Sequence, residues 1–349
     1  MAQSFVVGRR KAPVRFGLCE FILSQVSSSN INTAPELAAS LDSIRSAAAR
    51  ILGRVHRTPL LSSRSLSERA GVEVRLKCEN LQLAGSFKVR GAMNALLQLN
   101  DDERHRGVVA FSSGNHAQGV ALAARLLGIP ATIVMPESSV EMKVKATEGY
   151  GATVVTAGVT SATRDTVARE IAEKNGAAVI PPFDDDRIIS GAGTVGLEIV
   201  EEWPEVGSIV VPLGGGGLLA GTSMAATSVK PSVEVYGVEP AAGNDGEQSF
   251  KSGRIVTIDL PKTIADGART LAIGTRNFAI ILERVRDVVS VDDDVLLEAV
   301  RWSMYRTKLV IEPTGALGLA ALFSGKIRPK GPVAVVVSGG NLDFSILAT

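Results

Sequence analysis

Short runs rich in valine and isoleucine alternate with helical segments along most of this chain, and that alternation narrows the fold more than any other feature. The β-rich runs fall at residues 108–111, 131–135, 153–156, 178–180, 208–213, 233–238, 287–291 and 332–337. Between them lie segments of 10 to 20 residues with apolar positions at helical spacing, such as 119–127 and 162–174. Strands alternating with helices predict βαβ units and a mostly parallel α/β sheet. Runs apolar on both faces predict helices covering both sides of it. An Ala-rich helix using Leu41, Ile44, Ala48, Ile51 and Leu52, then a strand over 72–78, precede the series.

A chain of 349 residues can support two compact units. With no repeat and no low-complexity linker, a second domain is expected as an insertion: residues 36–106 and 186–349 form a large domain, and 107–185 a small inserted α/β domain. Residues 1–35 read differently. Arg9, Arg10, Lys11 and Arg15 precede any acid, and the short apolar run 21–26 is interrupted at its start by Glu20. This stretch is expected to be a disordered extension or the product of an upstream start codon, in preference to a targeting segment.

A formal charge of +1 gives no general case for nucleic acid or membrane-surface binding. No apolar run approaches the roughly 18 residues of a membrane span. Cys19 and Cys78 are the only cysteines, which supports neither a disulfide framework nor a cysteine metal site and suits a reducing cytoplasm. His56, His105 and His116 are scattered, so zinc is not expected.

Four predicted strand-to-helix junctions carry glycine, serine or asparagine in place of bulk. They are Gly85-Ser86-Phe87-Lys88-Val89-Arg90-Gly91, Ser112-Ser113-Gly114-Asn115-His116, Gly214-Gly215-Gly216-Gly217, and Ser338-Gly339-Gly340-Asn341. In open α/β sheets the carboxyl ends of strands form the ligand crevice, so all four are candidates to meet one ligand. Consecutive glycines before a helix let backbone N–H groups close around an anion such as a phosphate. Lys88, between Phe87 and Val89, is either an ordinary surface lysine or an amine that loses its proton in an apolar pocket and forms a Schiff base. Ser338, Asn115 and Ser113 are each open to a helix-cap or turn role, or to contact with a heterocyclic nitrogen, a phenolate-type oxygen and a reacting carbon respectively. Glu239, the Gly243 carbonyl and Asp245 form a short oxygen-rich loop of the kind that suits Mg²⁺ or Ca²⁺, although the spacing is common by chance. Asp292-Asp293-Asp294 reads as a helix cap, and Asp184-Asp185-Asp186 as a solvated turn or a similar cap. A rival pattern, Gly215-x-Gly217-x-x-Ala220 with Glu239 beyond it, matches a relaxed dinucleotide fingerprint and implies a nicotinamide-dependent oxidoreductase. That reading leaves Lys88 and residues 112–115 without a role.

Taken in order, Glu79-Asn80-Leu81-Gln82, the lysine turn, Ser112 to His116, the glycine loop, Ile264-Ala265-Asp266-Gly267, Ile311-Glu312-Pro313 and Ser338 to Asn341 resemble the fold-type II pyridoxal-phosphate enzymes of the threonine dehydratase and serine racemase family. The resemblance runs from about residue 40 to the end. It implies a fold like that of tryptophan synthase β: two open, mostly parallel sheets covered by helices. It further implies that Lys88 holds pyridoxal 5'-phosphate covalently, that Phe87 packs beside the ring, and that Asn115 contacts the ring oxygen. Gly214, Gly215, Gly216 and Gly217 would bind the phosphate and Ser338 would face the pyridine nitrogen. The family's divalent-cation site maps onto Glu239, Gly243 and Asp245. Ser113 falls where the family places its second acid/base, opposite the lysine.

The implied reaction is β-elimination from a β-hydroxy amino acid, L-threonine or L-serine, giving a 2-oxo acid and ammonia. Lys88 would take the Cα proton while the cofactor accepts the resulting charge. Serine racemase and 3-hydroxyaspartate ammonia-lyase activities are the alternatives. Ala84 and Ala192 depart from residues common in the family (Thr and Gln), whereas Phe183 is closer to the dehydratases. The chain stops soon after Ser338, which implies a short, catabolic-type cytoplasmic enzyme without a regulatory domain, acting as a homodimer or higher homo-oligomer.

Overall fold

The β-rich runs form ten strands in two sheets in the computed structural model, which describes residues 39–348. In chain order the strands are β1 (Leu60–Ser62), β2 (Val74–Cys78), β3 (Val108–Phe111), β4 (Ala131–Val134), β5 (Thr153–Val155), β6 (Ala178–Ile180), β7 (Ser208–Pro212), β8 (Glu234–Pro240), β9 (Asp287–Val291) and β10 (Val333–Val337). The helices are α1 (Leu41–Ile51), α2 (Arg64–Ala70), α3 (Lys88–Leu96), α4 (Asp101–Arg106), α5 (Asn115–Leu127), α6 (Glu141–Gly149) and α7 (Arg164–Asn175). They continue as α8 (Asp186–Glu202), α9 (Gly217–Val229), α10 (Asp245–Ser252), α11 (Thr275–Arg284), α12 (Asp293–Thr307) and α13 (Pro313–Phe323). The N-terminal stretch read above as an extension, with Cys19, lies outside the described residues.

One sheet has the order β1-β2-β10-β7-β8-β9 and the other β5-β4-β3-β6. Every pairing is parallel except that of β1 with β2. The three-residue β1 was absent from the sequence reading because so short an edge strand carries too few positions to show a period. β10 is buried at all five positions, as a strand covered on both faces must be.

Register fixes what meets at the sheet's edge. Val337 pairs with Cys78, and Val335 with Val210, so β2, β10 and β7 advance together and end side by side. Pro212 pairs with Val238, which places the end of β8 beside the glycine loop. In the second sheet Phe111 ends β3 next to Val134, and residues 112–115 leave from there.

Local chemistry sets the helix ends. Ser40 and Ser43 cap α1 reciprocally, and its buried face is Ile44, Ala47 and Ile51. Leu52, read as part of that apolar stripe, is instead exposed, because the helix stops at Ile51 and the chain leaves it with ψ 129°. Asp185 caps α8 by accepting from the Arg187 N–H at 2.8 Å, and Asp184 accepts from the first N–H groups of α11, so two of the three acids at 184–186 are caps. Of the other acid run, Asp292 sits at the N-cap of α12 without a side-chain bond, while Asp293 accepts from Thr263 and Ile264. α8 runs through the middle of the molecule against α3 and α9. A Cβ on Gly191 would lie 2.6 Å from the Gly91 Cα, so these helices approach at backbone distance.

Candidate active site

The lysine turn does not run straight from strand to helix. Two short 3-10 turns, Glu79–Leu81 and Leu83–Gly85, intervene before α3 opens on Lys88. Ala84 there has φ 55°, a left-handed conformation that strains a residue with a Cβ. Its carbonyl accepts from Asn341 Nδ2 at 2.9 Å. The Phe87 N–H donates to the Ser338 carbonyl at 3.1 Å and the Gly340 N–H to the Gly85 carbonyl at 2.9 Å, which ties the lysine turn to the end of β10.

Lys88 is half-buried by its neighbours, and Nζ donates to the Pro182 carbonyl at 2.8 Å. Burial pushes its pKa down from 10.5 to about 8, against an opposing pull from Glu312. A Cβ on Gly119 would lie 3.1 Å from the Lys88 carbonyl carbon, so α5 presses on the lysine's backbone. His116, on the same helix, is buried; Nε2 lies 3.0 Å from the Ile180 carbonyl and therefore carries the proton. Burial first, and the charge of Lys88 second, hold its imidazole down at about 3, so it stays neutral.

Asn115 is the first residue of α5 and not its cap, which is Gly114. Its Nδ2 donates to Glu312 Oε1 at 2.6 Å and its Oδ1 accepts from Asn341 Nδ2 at 2.8 Å. Glu312 sits at the N-cap of α13 yet makes no capping bond, which leaves its carboxylate free to face Asn115. Burial, then the charge of Asp266, push that carboxyl well up. Asp266 in turn pairs with Lys143 of α6. Ser338 is buried at the end of β10 and caps no helix, since the next helical turn, Phe344–Ala348, starts further along the chain. Ser113 is half-buried in the loop after β3, and its hydroxyl makes no hydrogen bond among the described residues.

The glycine loop comes to the same place through Phe183. A Cβ on Gly215 would lie 2.2 Å from the Phe183 ring, and Pro182, next to Phe183, is the residue that holds Lys88. Gly216 has φ +97°, open only to glycine at low cost. The N–H groups of Gly214, Gly215 and Gly216 find no acceptor among the described residues, although Gly215 and Gly216 are buried and stand at the N-terminus of α9. Orphaned donors at a helix's positive end are what a phosphate dianion satisfies. A half-buried amine shifted toward neutrality, within reach of such a loop, also suits an aldehyde-bearing phosphate ester. The residues present fit pyridoxal phosphate.

Residues 51–339 match the family described as pyridoxal-phosphate dependent enzyme. The chain belongs to this family. It is 48% identical over 301 residues to L-threo-3-hydroxyaspartate ammonia-lyase of Saccharomyces cerevisiae, spanning 86% of this chain and 92% of the relative. It is 47% identical to serine racemase of Schizosaccharomyces pombe, spanning 87% of this chain and 94% of the relative. Among solved structures, maize serine racemase superposes with a TM-score of 0.86 at 40% identity, over 89% of this chain and 96% of that one. The fold is thus the expected fold-type II architecture. The dinucleotide alternative fails on the same grounds and on geometry: Glu239 is fully buried and accepts from the Gly246 and Glu247 N–H groups, so it is closed to a ribose.

The oxygen-rich loop passes a separate test of fit. Both carboxylate oxygens of Asp245 are buried without a hydrogen-bond partner, as is the Thr270 hydroxyl, and no cationic side chain among the described residues pairs with Glu239 or Asp245. Burial lifts Asp245 to about 7, and burial with the charge of Asp245 lifts Glu239 well above the usual range. Two adjacent buried carboxylates with spare lone pairs suit a hard cation. No group of three or more His, Cys, Asp or Glu side chains forms a metal cluster among the described residues, so such a site must draw on backbone or hydroxyl oxygens as well.

Reasoning from the sequence missed the roles of Pro182, Glu312 and Asn341. The motifs holding Glu312 and Asn341 were legible as family marks, but nothing local in them says that the two side chains grip Asn115 from both ends.

Proposed function

We propose that the protein is an ammonia-lyase that eliminates water from a β-hydroxy amino acid, L-threonine or L-serine, and releases a 2-oxo acid and ammonia. The observation that carries this is Lys88: a half-buried amine lowered to about 8, held by a carbonyl and not by a carboxylate, beside a loop of unused N–H groups. Lys88 would tether pyridoxal phosphate, and Gly214 to Gly217 would hold its phosphate. The cofactor supplies a sink for the charge left at Cα. The Lys88 amine would be the base that takes the Cα proton. Asn115, braced by Glu312 and Asn341, has one N–H left to offer a ring oxygen. Ser338, a neutral hydroxyl, is the partner for the ring nitrogen and adds no proton to it. Ser113, unbonded and half-buried, is free to move a proton at the face opposite Lys88 or to the leaving hydroxyl. Glu239, Asp245 and the Gly243 carbonyl would hold Mg²⁺ or Ca²⁺ away from the reaction, as a brace. In this reading residues 107–185 act as a small domain inserted between 36–106 and 186–349; β3 to β6 all fall inside the insert and the remaining strands outside it.

The 48% identity to a hydroxyaspartate ammonia-lyase and the 47% identity to a serine racemase favour two further substrates or outcomes for the same site. Purified protein assayed with L-threonine, L-serine, D-serine and L-threo-3-hydroxyaspartate, for both 2-oxo acid and enantiomer, separates them. The expected result is 2-oxo acid from at least one L-substrate. Enantiomer without 2-oxo acid would make the protein a racemase, and neither product from any of the four would overturn the lyase reading. Borohydride should bleach the protein and leave the cofactor's mass on the peptide that contains Lys88.

A further inference from the structure

The glycine loop is held from behind by one side chain that no motif marks. Asn277 is the third residue of α11 and is completely buried. Its Nδ2 donates to the Gly215 carbonyl at 2.7 Å and lies 3.3 Å from the Phe183 carbonyl. The Gly274 N–H donates to the same Gly215 carbonyl at 3.1 Å. Two donors on one carbonyl fix the orientation of that peptide unit, and with it the direction of the loop's unpaired N–H groups. A Cβ on Gly216 would lie 2.8 Å from the Asn277 Cβ, so the side chain also fills the space behind the left-handed residue. Asn277 Oδ1 is buried and unpartnered. The amide is therefore held by its donor end alone, and an apolar residue of similar size would avoid that uncompensated acceptor. Asp184, which follows Phe183, caps the same helix through the N–H groups of Thr275 and Arg276. The Phe183–Asp184 segment, the first turn of α11 and the glycine loop thus lock together through Gly215.

We propose that Asn277 is a positioning residue for the phosphate cradle: by clamping the Gly215 carbonyl it aims the N–H groups of Gly214 to Gly216 at the cofactor phosphate. The inference rests on the pyridoxal-phosphate reading of the site and goes beyond it in assigning a residue outside the loop to phosphate affinity.

The test uses the full chain, stripped of cofactor, and titrates it with pyridoxal phosphate and with pyridoxal, which lacks the phosphate. Asn277→Asp keeps the shape and loses the donor; Asn277→Ala removes both, and circular dichroism of each cofactor-free variant identifies those that fold. The expected result in either folded variant is a loss of pyridoxal-phosphate affinity on the order of tenfold or more, as befits a charge-assisted cradle thrown out of line. Pyridoxal affinity should change by less than about twofold, since pyridoxal makes no use of the cradle. The ³¹P resonance of the bound cofactor should also shift. Equal loss for both ligands would make Asn277 merely structural and overturn the inference, as would unchanged affinity for both with an unmoved ³¹P signal. Failure of the unmutated protein to bind pyridoxal phosphate would instead overturn the cofactor reading itself. If neither variant folds, Asn277→Ser, which keeps a donor on a shorter arm, serves in the same titration and is expected to fall between.

Discussion

Lys77 and Lys88 lie near the same edge of the six-stranded sheet, the first fully buried and the second half-buried, and their surroundings differ in kind. Lys77 Nζ meets Glu198 at 2.6 Å and the Thr58 carbonyl at 2.7 Å. Glu198 also receives Arg90, which is paired with Glu79, so two cations and two carboxylates balance in one network. Lys88 has a single carbonyl, from Pro182. Burying a charge is tolerable when it is paired and bonded; without that, the group gives up its charge. The first lysine is therefore held as a strut, while the second is left suited to the role proposed for it, and their partners make the difference.

The largest effect expected from this contrast is on activity. Lys88→Met should remove on the order of 10³-fold or more of the lyase activity, the usual scale for losing a positioned base, whereas Lys77→Met should stay active wherever it folds. Stability should move in opposite directions. Holding a lysine at about 8 instead of 10.5 disfavours its charged form by roughly 3 kcal/mol, so cofactor-free Lys88→Met should melt higher than the parent at neutral pH. Lys77→Met leaves Glu198 short of a partner and should lose on the order of 3 kcal/mol. Melting temperatures that shift in the same direction for both variants would break the comparison.

Ser113 sharpens the contrast from the other side of the site. Lys88 is locked by packing, while the Ser113 hydroxyl is unbonded and half-buried. If Ser113 moves the proton on the second face, Ser113→Ala should lower racemisation of serine by about 100-fold and elimination from L-substrates by less than about tenfold. Equal losses in both would assign it to the leaving hydroxyl instead.

The pH response of Lys88 is a smaller effect, about tenfold. Its folded pKa lies below the unfolded value, so the native state binds fewer protons between about 8 and 10.5 and gains stability as pH rises through that window. The free-amine fraction rises nearly tenfold from pH 7 to pH 8.5 or so. Covalent capture of pyridoxal phosphate by the cofactor-free protein should follow it, with a midpoint near 8. A midpoint near 10.5 would make Lys88 an ordinary exposed lysine.

Much of this was legible beforehand because the features are local. Runs rich in valine and isoleucine marked eight of the strands, and the glycine run marked the turn before α9, where the left-handed φ of Gly216 is a demand of the local backbone. What was not legible is held across the chain. Pro182 reaches Lys88 over 94 residues, Asn341 reaches Asn115 over 226, and Asn277 reaches Gly215 over 62. Nothing near Asn277 or Pro182 in the chain distinguishes either from any other loop or helix residue. Their roles appear only when the strand register brings the turns together.

The same contrast recurs among the acids and sets the smallest effect. Glu79 and Glu198 are neutralised by Arg90 and Lys77, whereas Glu239 and Asp245 are buried with no cationic side chain paired to them among the described residues. A bound divalent cation would complete the parallel by doing for the second pair what arginine and lysine do for the first. Binding at a hundred times Kd adds about 2.7 kcal/mol by mass action, so Mg²⁺ or Ca²⁺ should raise the melting temperature by a few degrees and chelation should reverse it. Asp245→Asn should abolish the response and leave Lys88 chemistry intact. A melting temperature indifferent to cation and chelator would mean that protons neutralise these two carboxylates, and that the loop stabilises the fold without metal.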